Sequence, residues 1–547
     1  MISHGFPPLG VLASIAIAAV LAWAMRRVER APRTPAPGHT RGPGRRLRRA
    51  GHDLGSEAAR WARKKDLDVL VLQSPCRGRL VLGTLAARHL WPAGLLGRAR
   101  RGRDVTTSCN RRGGHRRGDL LVAAEPGHSV LVVGPTQSGK TTGLAVPAIL
   151  EWDGPVVAAS VKSDIVRMSA GSRSAMGKVW LYDPVAATGL PGSEWSPLRA
   201  CATWHGARRV AGGLAELTRS GSGTGLADGE FWYATAAKLI APLLYAAALS
   251  GRTMGDVVRW VDTQEEGEPC QALQLAAGMG VPGSAEALQA AEASWGREER
   301  QRSSIYTTAE TVLEPFTAAT VAGPSPGTDG GLQADAEIDP EIDPEIDPEI
   351  DPEELLSGRN TLYLCAPAHD QRRVRSLFAT LVAQVIEAAY DRSSARGGPI
   401  DPPLLVVLDE AANVAPLAEL DVLASTAAGH GVQLLTVWQD LSQLNARYGA
   451  RAGSVVNNHR AKLFLAGIAD PSTLEHASLL VGESERSRRS TTQVARGDSS
   501  FTDAPVSGRL VPADALRRME PGNALLLYGH LPPARLALRY CHRPEDW

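Results

Sequence analysis

Short apolar runs separated by polar turns recur along most of the chain and predict the strands of a parallel sheet. Most runs are continuous rather than alternating, which is typical of parallel strands covered on both faces. We expect ordered α/β structure from about Leu120 onward. The predicted strands are Ser129–Val133, Val156–Ser160, Val179–Tyr182, Thr361–Cys365, Leu404–Leu408, Gln433–Val437 and Lys462–Ala466.

The pattern changes between about Ser193 and Glu314, where Ala/Leu-rich stretches such as FWYATAAKLIAPLLYAAAL predict helices without strands. This indicates a helical domain inserted between strands of the sheet. From Glu337 to Pro352 the tetrapeptide EIDP is repeated four times. Proline at every fourth position prevents a continuous helix. We therefore interpret the repeat as a solvated, extended linker without a catalytic role.

An uncharged apolar stretch near the N-terminus, Gly5 to Met25, predicts a membrane anchor. With its flanks it can just cross a bilayer core of about 30 Å. Arg26 and Arg27 follow directly, so the positive-inside rule places the remainder of the chain in the cytoplasm. A cleaved signal peptide or a peripheral amphipathic segment remains the alternative.

The net charge of +1 hides a strongly basic region. From Arg26 to Arg117 there are 24 Lys and Arg against 6 Asp and Glu, a charge of +18, which leaves −17 for the remainder. Such an arm indicates an anionic neighbour. We favour lipid headgroups over nucleic acid for this contact. The six cysteines contain no CxxC pair, which fits a reducing compartment better than a disulfide framework.

A phosphate-binding motif follows the first predicted strand and begins an apolar helix. GPTQSGKTT fits the pattern GxxxxGK[ST], in which backbone N–H groups and the helix N-terminus hold phosphates. Lys140 would reach the β and γ phosphates of ATP, and the Thr141 hydroxyl would bind Mg²⁺. The predicted ATP-binding residues are Gly134, Pro135, Thr136, Gln137, Ser138, Gly139, Lys140, Thr141 and Thr142.

Two acids directly follow the apolar strand Leu404–Leu408, at the edge where open α/β sheets bind ligands. Asp409 would complete the Mg²⁺ site with Thr141, and Glu410 would orient the attacking water. Gln439, after the strand QLLTV and Trp438, could sense the γ phosphate, or it could be an ordinary surface glutamine. The predicted catalytic residues are Lys140, Glu410 and Gln439. Asp183 could serve a turn or catalysis.

Several segments in a fixed order resemble the type IV secretion coupling proteins of the TraG/TraD kind, within the FtsK/HerA-like P-loop superfamily. The resemblance extends from about Asp119 to Tyr540. Its segments include GPTQSGKTT, VVAASVKSDI, WLYDP, GEFWYATAAKLIAPLLYA, VVLDEAANVAPLAELDVLASTAAGHGVQLLTVWQDLSQLNARYG, LFLAGIADPSTLEHASLLVGE and LRRMEPGNALLLYGHLPP.

The resemblance implies an α/β fold: a RecA-like P-loop NTPase domain with a mainly parallel central sheet, an inserted all-α domain and an N-terminal transmembrane helix. It also implies a homo-hexamer in the plasma (inner) membrane, single-pass, with a cytoplasmic motor. That motor would use ATP and Mg²⁺ to transfer DNA with its attached relaxase into a type IV secretion channel. Lys140 and Thr141 match the family's Walker A pair, Asp409 and Glu410 its Walker B pair, and Gln439 its downstream glutamine.

The expected domain organisation follows from these patterns. It consists of an anchor (1–27), a basic juxtamembrane linker and loop region (28–118), a motor domain in two pieces (119–192 and 355–547), the all-α domain (193–330) and the EIDP linker (331–354).

The chain departs from the family in two respects. Family members often have two transmembrane helices, and the pattern predicts one. Where the family has D-x-K-x-E, this chain has Ser160-Val161-Lys162-Ser163-Asp164, so the role of the first acid is not carried over.

Two alternatives to a DNA-transfer motor stay open. One is an FtsK/HerA-like motor for protein secretion or chromosomal DNA, and the other is a membrane adaptor that binds nucleotide without useful turnover. In a ring, an arginine from a neighbouring subunit often completes such a site. Arg447, Arg451 and Arg460 are the candidates.

Overall fold

Seven neighbouring parallel strands form the centre of the fold. The computed structural model describes residues 58–85, 120–221, 227–319, 346–367, 371–493 and 499–541. The strands are β1 (Val71–Leu72), β2 (Val81–Leu85), β3 (Leu121–Ala123), β4 (Val130–Val133), β5 (Val156–Ser160), β6 (Val179–Tyr182), β7 (Thr361–Cys365), β8 (Leu404–Leu408), β9 (Val432–Trp438), β10 (Ala461–Leu465), β11 (Glu483–Gln493), β12 (Ser499–Arg509), β13 (Asn523–Tyr528) and β14 (Ala534–Ala537).

The parallel strands lie in the order β10-β4-β9-β8-β5-β7-β6. All seven predicted strands are confirmed, with bounds that differ by at most one residue. Their continuous apolar character has the expected cause, because both faces of the sheet are covered. In β4, Leu131 and Val133 join one hydrophobic core, whereas Val130 and Val132 join a second core on the other face.

Five antiparallel strands extend the sheet beyond β10, in the order β13-β14-β2-β3-β1. Ordered structure therefore begins before Leu120, and β1 and β2, within residues 58–85, belong to the sheet rather than to a linker and loop region. Three of these strands, β1, β2 and β3, are hidden in the sequence because they are short and lie among or beside the basic residues of 26–117. Arg79 is one such residue, and its guanidinium donates to the backbone carbonyls of Ala124 and Val69 at 2.6 and 2.8 Å.

Helices cover the sheet and form a separate block between β6 and β7. The first elements are a π-helical turn (Thr141–Ala145), α1 (Val146–Glu151) and α2 (Asp164–Ser174). The block contains α3 (Trp204–Gly221), α4 (Ala227–Ser250), α5 (Met254–Asp262), α6 (Gly267–Gly278), α7 (Ser284–Trp295) and α8 (Glu299–Ala319). The remaining helices are α9 (Pro352–Leu355), α10 (Gln371–Arg396), α11 (Leu420–Thr426), α12 (Leu441–Tyr448), α13 (Ala452–Asn458), α14 (Pro471–Val481) and α15 (Ala513–Arg517).

In the described ranges, one helical stretch is long and apolar enough to cross a membrane, Gly229–Ser250 in α4. In the most apolar part of this stretch, 61% of the window is buried inside the protein. Side chains such as Leu243 and Leu244 pack in the helical block. The segment therefore has the character of a core helix. The predicted anchor at Gly5 to Met25 lies outside the described residues.

From Ile346 onward the last two EIDP copies are docked on the protein, so our interpretation of the repeat as a wholly solvated linker is wrong there. Ile350 is buried, with 2% of its surface exposed. Ile346 forms a parallel β-bridge with Val179 on the edge strand β6, and the Trp180 indole donates to the Glu349 carbonyl at 2.7 Å. Backbone pairing and isoleucine burial therefore hold this segment, which we call the EIDP strap (Ile346–Asp351).

The strands β11 and β12 pair with each other in a two-stranded ribbon separate from the main sheet. The apolar pattern along the sequence does not predict this hairpin. Its strands are rich in Ser, Thr and Arg and carry little of the apolar signal by which strands are recognised.

Candidate nucleotide site

The phosphate-binding motif forms a tight loop at the carboxyl end of β4. The Gly134 N–H donates to the carbonyl of Trp438 at the end of β9, at 3.0 Å, which ties the loop to the neighbouring strand. Gln137 and Gly139 have φ values of 61° and 85°, in the left-handed region. At Gly134 a Cβ atom would lie 2.7 Å from the Ser138 hydroxyl. The glycines thus allow a turn that larger residues would obstruct.

Lys140 points back into this loop and is itself buried. Its ammonium group donates to the carbonyls of Gly134 and Pro135, each at 2.7 Å. Burial lowers the pKa of Lys140, while the nearby Asp409 and Glu410 oppose that shift. The loop therefore contains a poorly solvated cation, an arrangement suited to an anionic ligand.

The loop and the acidic strand meet through Thr141. Its hydroxyl donates to Asp409 Oδ2 at 2.9 Å, and the Ser160 hydroxyl lies 3.4 Å from the same oxygen. Asp409 is 5% exposed, and burial raises its pKa above the ordinary value of 3.8. Its other oxygen, Oδ1, is buried without a hydrogen-bond partner among the described residues. A carboxylate oxygen left without a donor, beside a threonine hydroxyl, fits an Mg²⁺ site.

Ser160 stands where the resembling family has its first acid. The sequence shows only that this acid is absent, whereas the structure places the serine hydroxyl next to Asp409. A second carboxylate at this position would face the first at short range, and serine avoids that repulsion.

Glu410 follows Asp409 in an unusual backbone conformation, with φ = 61°. A non-glycine residue in the left-handed region is strained, and such strain is concentrated at functional sites. The Glu410 side chain is half-buried, and the Asn413 amide lies 3.4 Å from its Oε2 atom. The carboxylate is therefore held at the end of β8 yet remains partly accessible.

Gln439 is half-buried and directly follows Trp438, the residue that binds the start of the loop. Its N–H donates to the side chain of Gln443 at 3.1 Å, which orients the turn into α12. Asp183, by contrast, accepts hydrogen bonds from the backbone of Ala187 and Thr188 at 3.0 and 2.7 Å. Of its two suggested roles, Asp183 therefore has the turn role.

A segment near the C-terminus packs on the phosphate-binding loop, and the sequence analysis misses it. A Cβ atom at Gly139 would lie 2.6 Å from the Tyr540 hydroxyl, so the tyrosine ring contacts the loop directly. The next N–H, of Cys541, donates to the Thr142 carbonyl at 2.9 Å, inside the π-helical turn. Arg539 forms a two-point ion pair with Glu151 of α1, at 2.6 and 2.7 Å.

We call Leu538–Cys541 the C-terminal clamp. Single π turns occur frequently at functional sites. No local motif could have revealed the clamp, because Tyr540 and Gly139 lie 401 positions apart in the sequence.

Two family models match the chain, and each contains half of this site. The model described as "Type IV secretory system Conjugative DNA transfer" matches residues 93–329, which include Lys140 and Thr141. The model described as "TraM recognition site of TraD and TraG" matches residues 403–521, which include Asp409, Glu410 and Gln439. The chain belongs to the type IV secretion coupling protein family.

Curated relatives of this coupling protein carry matching names. The conjugal transfer protein TraG of Escherichia coli is 25% identical over 72% of this chain, and the match covers 62% of TraG. The protein VirD4 of Agrobacterium fabrum is 26% identical over 77% of this chain, and 59% of VirD4 is covered. The chain thus spans about three fifths of the length of these relatives.

The fold of this coupling protein matches solved structures of the bacterial conjugative coupling protein TrwB. An unbound form has a TM-score of 0.55 at 17% identity, covering 77% of this chain and 86% of TrwB. A complex of TrwB with ADP and Mg²⁺ has a TM-score of 0.52 at 18% identity, covering 76% and 87%. The main domain therefore has the RecA-like nucleotide-binding fold with a mixed, mostly parallel sheet.

Proposed function

We propose that this protein is a membrane-anchored ATPase that couples ATP hydrolysis to the recruitment of DNA, with its attached relaxase, into a type IV secretion channel. The observation that most directly supports this proposal is the hydrogen bond from Thr141 to Asp409, at 2.9 Å. This bond joins the phosphate-binding loop to the acidic end of β8 in one pocket. TrwB supports the choice of ligand, since it has been solved with ADP and Mg²⁺.

The proposal assigns a task to each residue of the pocket. The loop Gly134–Thr142 binds the phosphates through its N–H groups. Lys140 exchanges its bonds to the Gly134 and Pro135 carbonyls for the γ phosphate. Thr141 and Asp409 would hold Mg²⁺, which when bound neutralises part of the phosphate charge. Glu410 orients and polarises the attacking water, and Gln439 senses whether the γ phosphate is present.

The assembly and location belong to the same proposal. The stretch 1–27 anchors the chain in the plasma membrane, and the motor, formed by 119–192 and 355–547, works in the cytoplasm as a homo-hexamer. Residues 193–330 form the all-α domain. Partners are DNA, relaxosome proteins, channel components and, by analogy with TraD and TraG, a protein of the TraM kind.

The decisive experiment measures ATP hydrolysis by the full chain in detergent, with and without DNA. Lys140→Ala is expected to lower turnover about 100-fold or more, because it removes the cation that stabilises the developing phosphate charge. Lys238→Ala, a matched change on an exposed face of α4, should leave basal turnover at the wild-type level.

Three results would overturn parts of the proposal. Unchanged turnover in Lys140→Ala would place the active site elsewhere. Stimulation by a secretion-signal peptide, without any response to DNA, would favour a protein-secretion motor. Nucleotide binding without measurable turnover in the wild type would favour an adaptor.

A further inference from the structure

A groove of about 600 Å³ lies between the helical block and the motor domain, away from the nucleotide pocket. One wall comes from α3, a second from α10, and the third from residues 417–426, which include α11. Because its walls belong to both parts of the molecule, an occupant would contact the helical block and the motor together. We call this feature the α3–α10 groove.

The groove is open and largely apolar. Gly212 and Gly213 on α3 are exposed, and a Cβ atom built on either would meet no other atom within 4 Å. Beside these glycines the groove is lined by Val210 and Leu217, whose side chains are otherwise mostly buried. On the opposite wall, the apolar side chain of Val422 is 47% exposed.

A buried hydrogen-bond donor lines the groove without an acceptor. Gln384 is 9% exposed, and its Oε1 accepts from the Trp195 indole at 3.2 Å. Since an indole N–H can only donate, this bond fixes which end of the amide is the oxygen. The Gln384 Nε2 atom has no hydrogen-bond partner among the described residues. Leaving such a donor buried is unfavourable.

The rim of the groove is acidic. Its lining residues include four carboxylates, on Glu216, Glu387, Asp391 and Glu419, and a single guanidinium, on Arg209. Arg209 lies 3.2 Å from Glu387, and Glu216 pairs with Arg219 at 2.6 Å. Burial raises the pKa of Glu387, so its ionised form would gain from a second cation nearby. The excess of carboxylates favours a positively charged occupant.

We infer that the α3–α10 groove is a docking site for a short protein segment that carries apolar side chains and at least one Lys or Arg. The apolar side chains of this segment would cover Val422 and the face of α3 around Gly212 and Gly213. The cation would lie at the rim beside Glu387 and Glu419. This docking is separate from the proposed hydrolysis, since none of these residues belongs to the nucleotide pocket.

The test uses the full chain in detergent and a display library of random twelve-residue peptides. Selected peptides should be enriched in Lys or Arg together with Leu, Ile or Phe. Gly213→Leu should weaken their binding at least tenfold, because leucine fills the groove while improving helix propensity. The matched control is Gly453→Leu on α13, another exposed helical glycine with open space around it, which should bind as the wild type does.

A second variant tests the charge without altering the shape of the groove. Glu419→Gln, on the exposed rim, should weaken the selected peptides about threefold, and added salt should reduce that difference. Equal binding of the peptides to the wild type and Gly213→Leu would overturn the inference, as would selection of acidic peptides or of none. So would a change in oligomer size caused by Gly213→Leu, which would make a second copy the occupant. ATP binding measured on each variant reports separately on the nucleotide pocket.

Discussion

At the residue scale, Asp409 lies in the candidate nucleotide site, and its burial lowers the stability of the folded protein. Its carboxylate is buried, and one oxygen has no donor among the described residues. Burial is the largest cause of its raised pKa, and repulsion from Glu410 adds to it. A group whose pKa is higher in the folded state binds its proton more tightly there. The folded protein therefore loses stability as the pH rises through that pKa.

This predicts that Asp409→Asn stabilises the nucleotide-free protein by about 1 kcal/mol while it abolishes Mg²⁺-dependent ATP binding. The stabilisation should be small near pH 4 and larger near pH 8, because only the wild type ionises over that range. Thermal unfolding with a chelator present measures the first effect, and ATP titration with Mg²⁺ measures the second. Asp262→Asn, on an exposed end of α5, is the control, and equal pH profiles for all three proteins would contradict the prediction.

At the scale of elements, the C-terminal clamp ties the last described strand to the phosphate-binding loop. Tyr540 contacts Gly139, and Cys541 bonds to the π-helical turn. We expect Tyr540 to act by fixing the position of the loop. The hydroxyl and the ring carbons Cε1 and Cζ lie together at that contact.

Accordingly, Tyr540→Ala should raise the KM for ATP about fivefold with a smaller change in kcat, since a loosened loop binds phosphates less well. Tyr540→Phe should restore the wild-type KM because it keeps the ring. Steady-state ATPase assays distinguish the two parameters. A phenylalanine variant as impaired as the alanine variant would assign the effect to the hydroxyl, and two unaffected variants would remove the role altogether.

The EIDP strap offers a matched comparison within a single repeat. Ile350→Asp should lower the free energy of unfolding by roughly 2–4 kcal/mol, because it removes a buried apolar side chain and buries a charge. The same change in the second copy, Ile342→Asp, lies outside the described residues and is expected to have little effect. Chemical denaturation of both variants measures the difference in the free energy of unfolding. Equal losses of this free energy would contradict the prediction that the two copies contribute differently to stability.

Much of the central sheet could be predicted from the sequence, because a strand buried on both faces consists of a continuous run of apolar residues. The same holds for the phosphate-binding loop, whose residues are contiguous. What escaped prediction depends on partners distant in the chain. From the sequence, Ser160 shows only that the family's acid is missing, and its contact with Asp409 is visible only in the structure. Tyr540 has no neighbouring motif that would predict its contact with the phosphate-binding loop. Ile350 is part of a polar repeat and becomes a core residue only because the EIDP strap is docked on the protein.

At the scale of the whole molecule, ring assembly would bring an arginine to the pocket of a neighbour. Arg447 is poorly suited to this, because burial lowers its pKa and its guanidinium lies 3.4 Å from the Pro416 carbonyl of its own subunit. Arg451 and Arg460 are exposed, although Arg451 lies 3.5 Å from Asp421. The structure therefore favours these two over Arg447 as candidates.

We predict that turnover per subunit rises with protein concentration, and that either Arg451→Ala or Arg460→Ala loses at least tenfold in turnover while binding ATP normally. Arg447→Ala should instead lower thermal stability. Assays over a concentration series, combined with light scattering, relate turnover to assembly. Concentration-independent turnover, with both exposed variants fully active, would mean that each subunit completes its own site.

The docked strap also constrains how copies of this protein can associate. An edge strand with unpaired backbone N–H and C=O groups can pair with a strand of another chain, which extends the sheet. At β6 that position is taken by the molecule's own Ile346–Asp351, and the strand at the opposite end, β1, has two residues. The main sheet would therefore not continue from one subunit into the next. Neighbours that meet through side-chain surfaces can slide, tilt and separate during a work cycle in a way that a shared sheet could not.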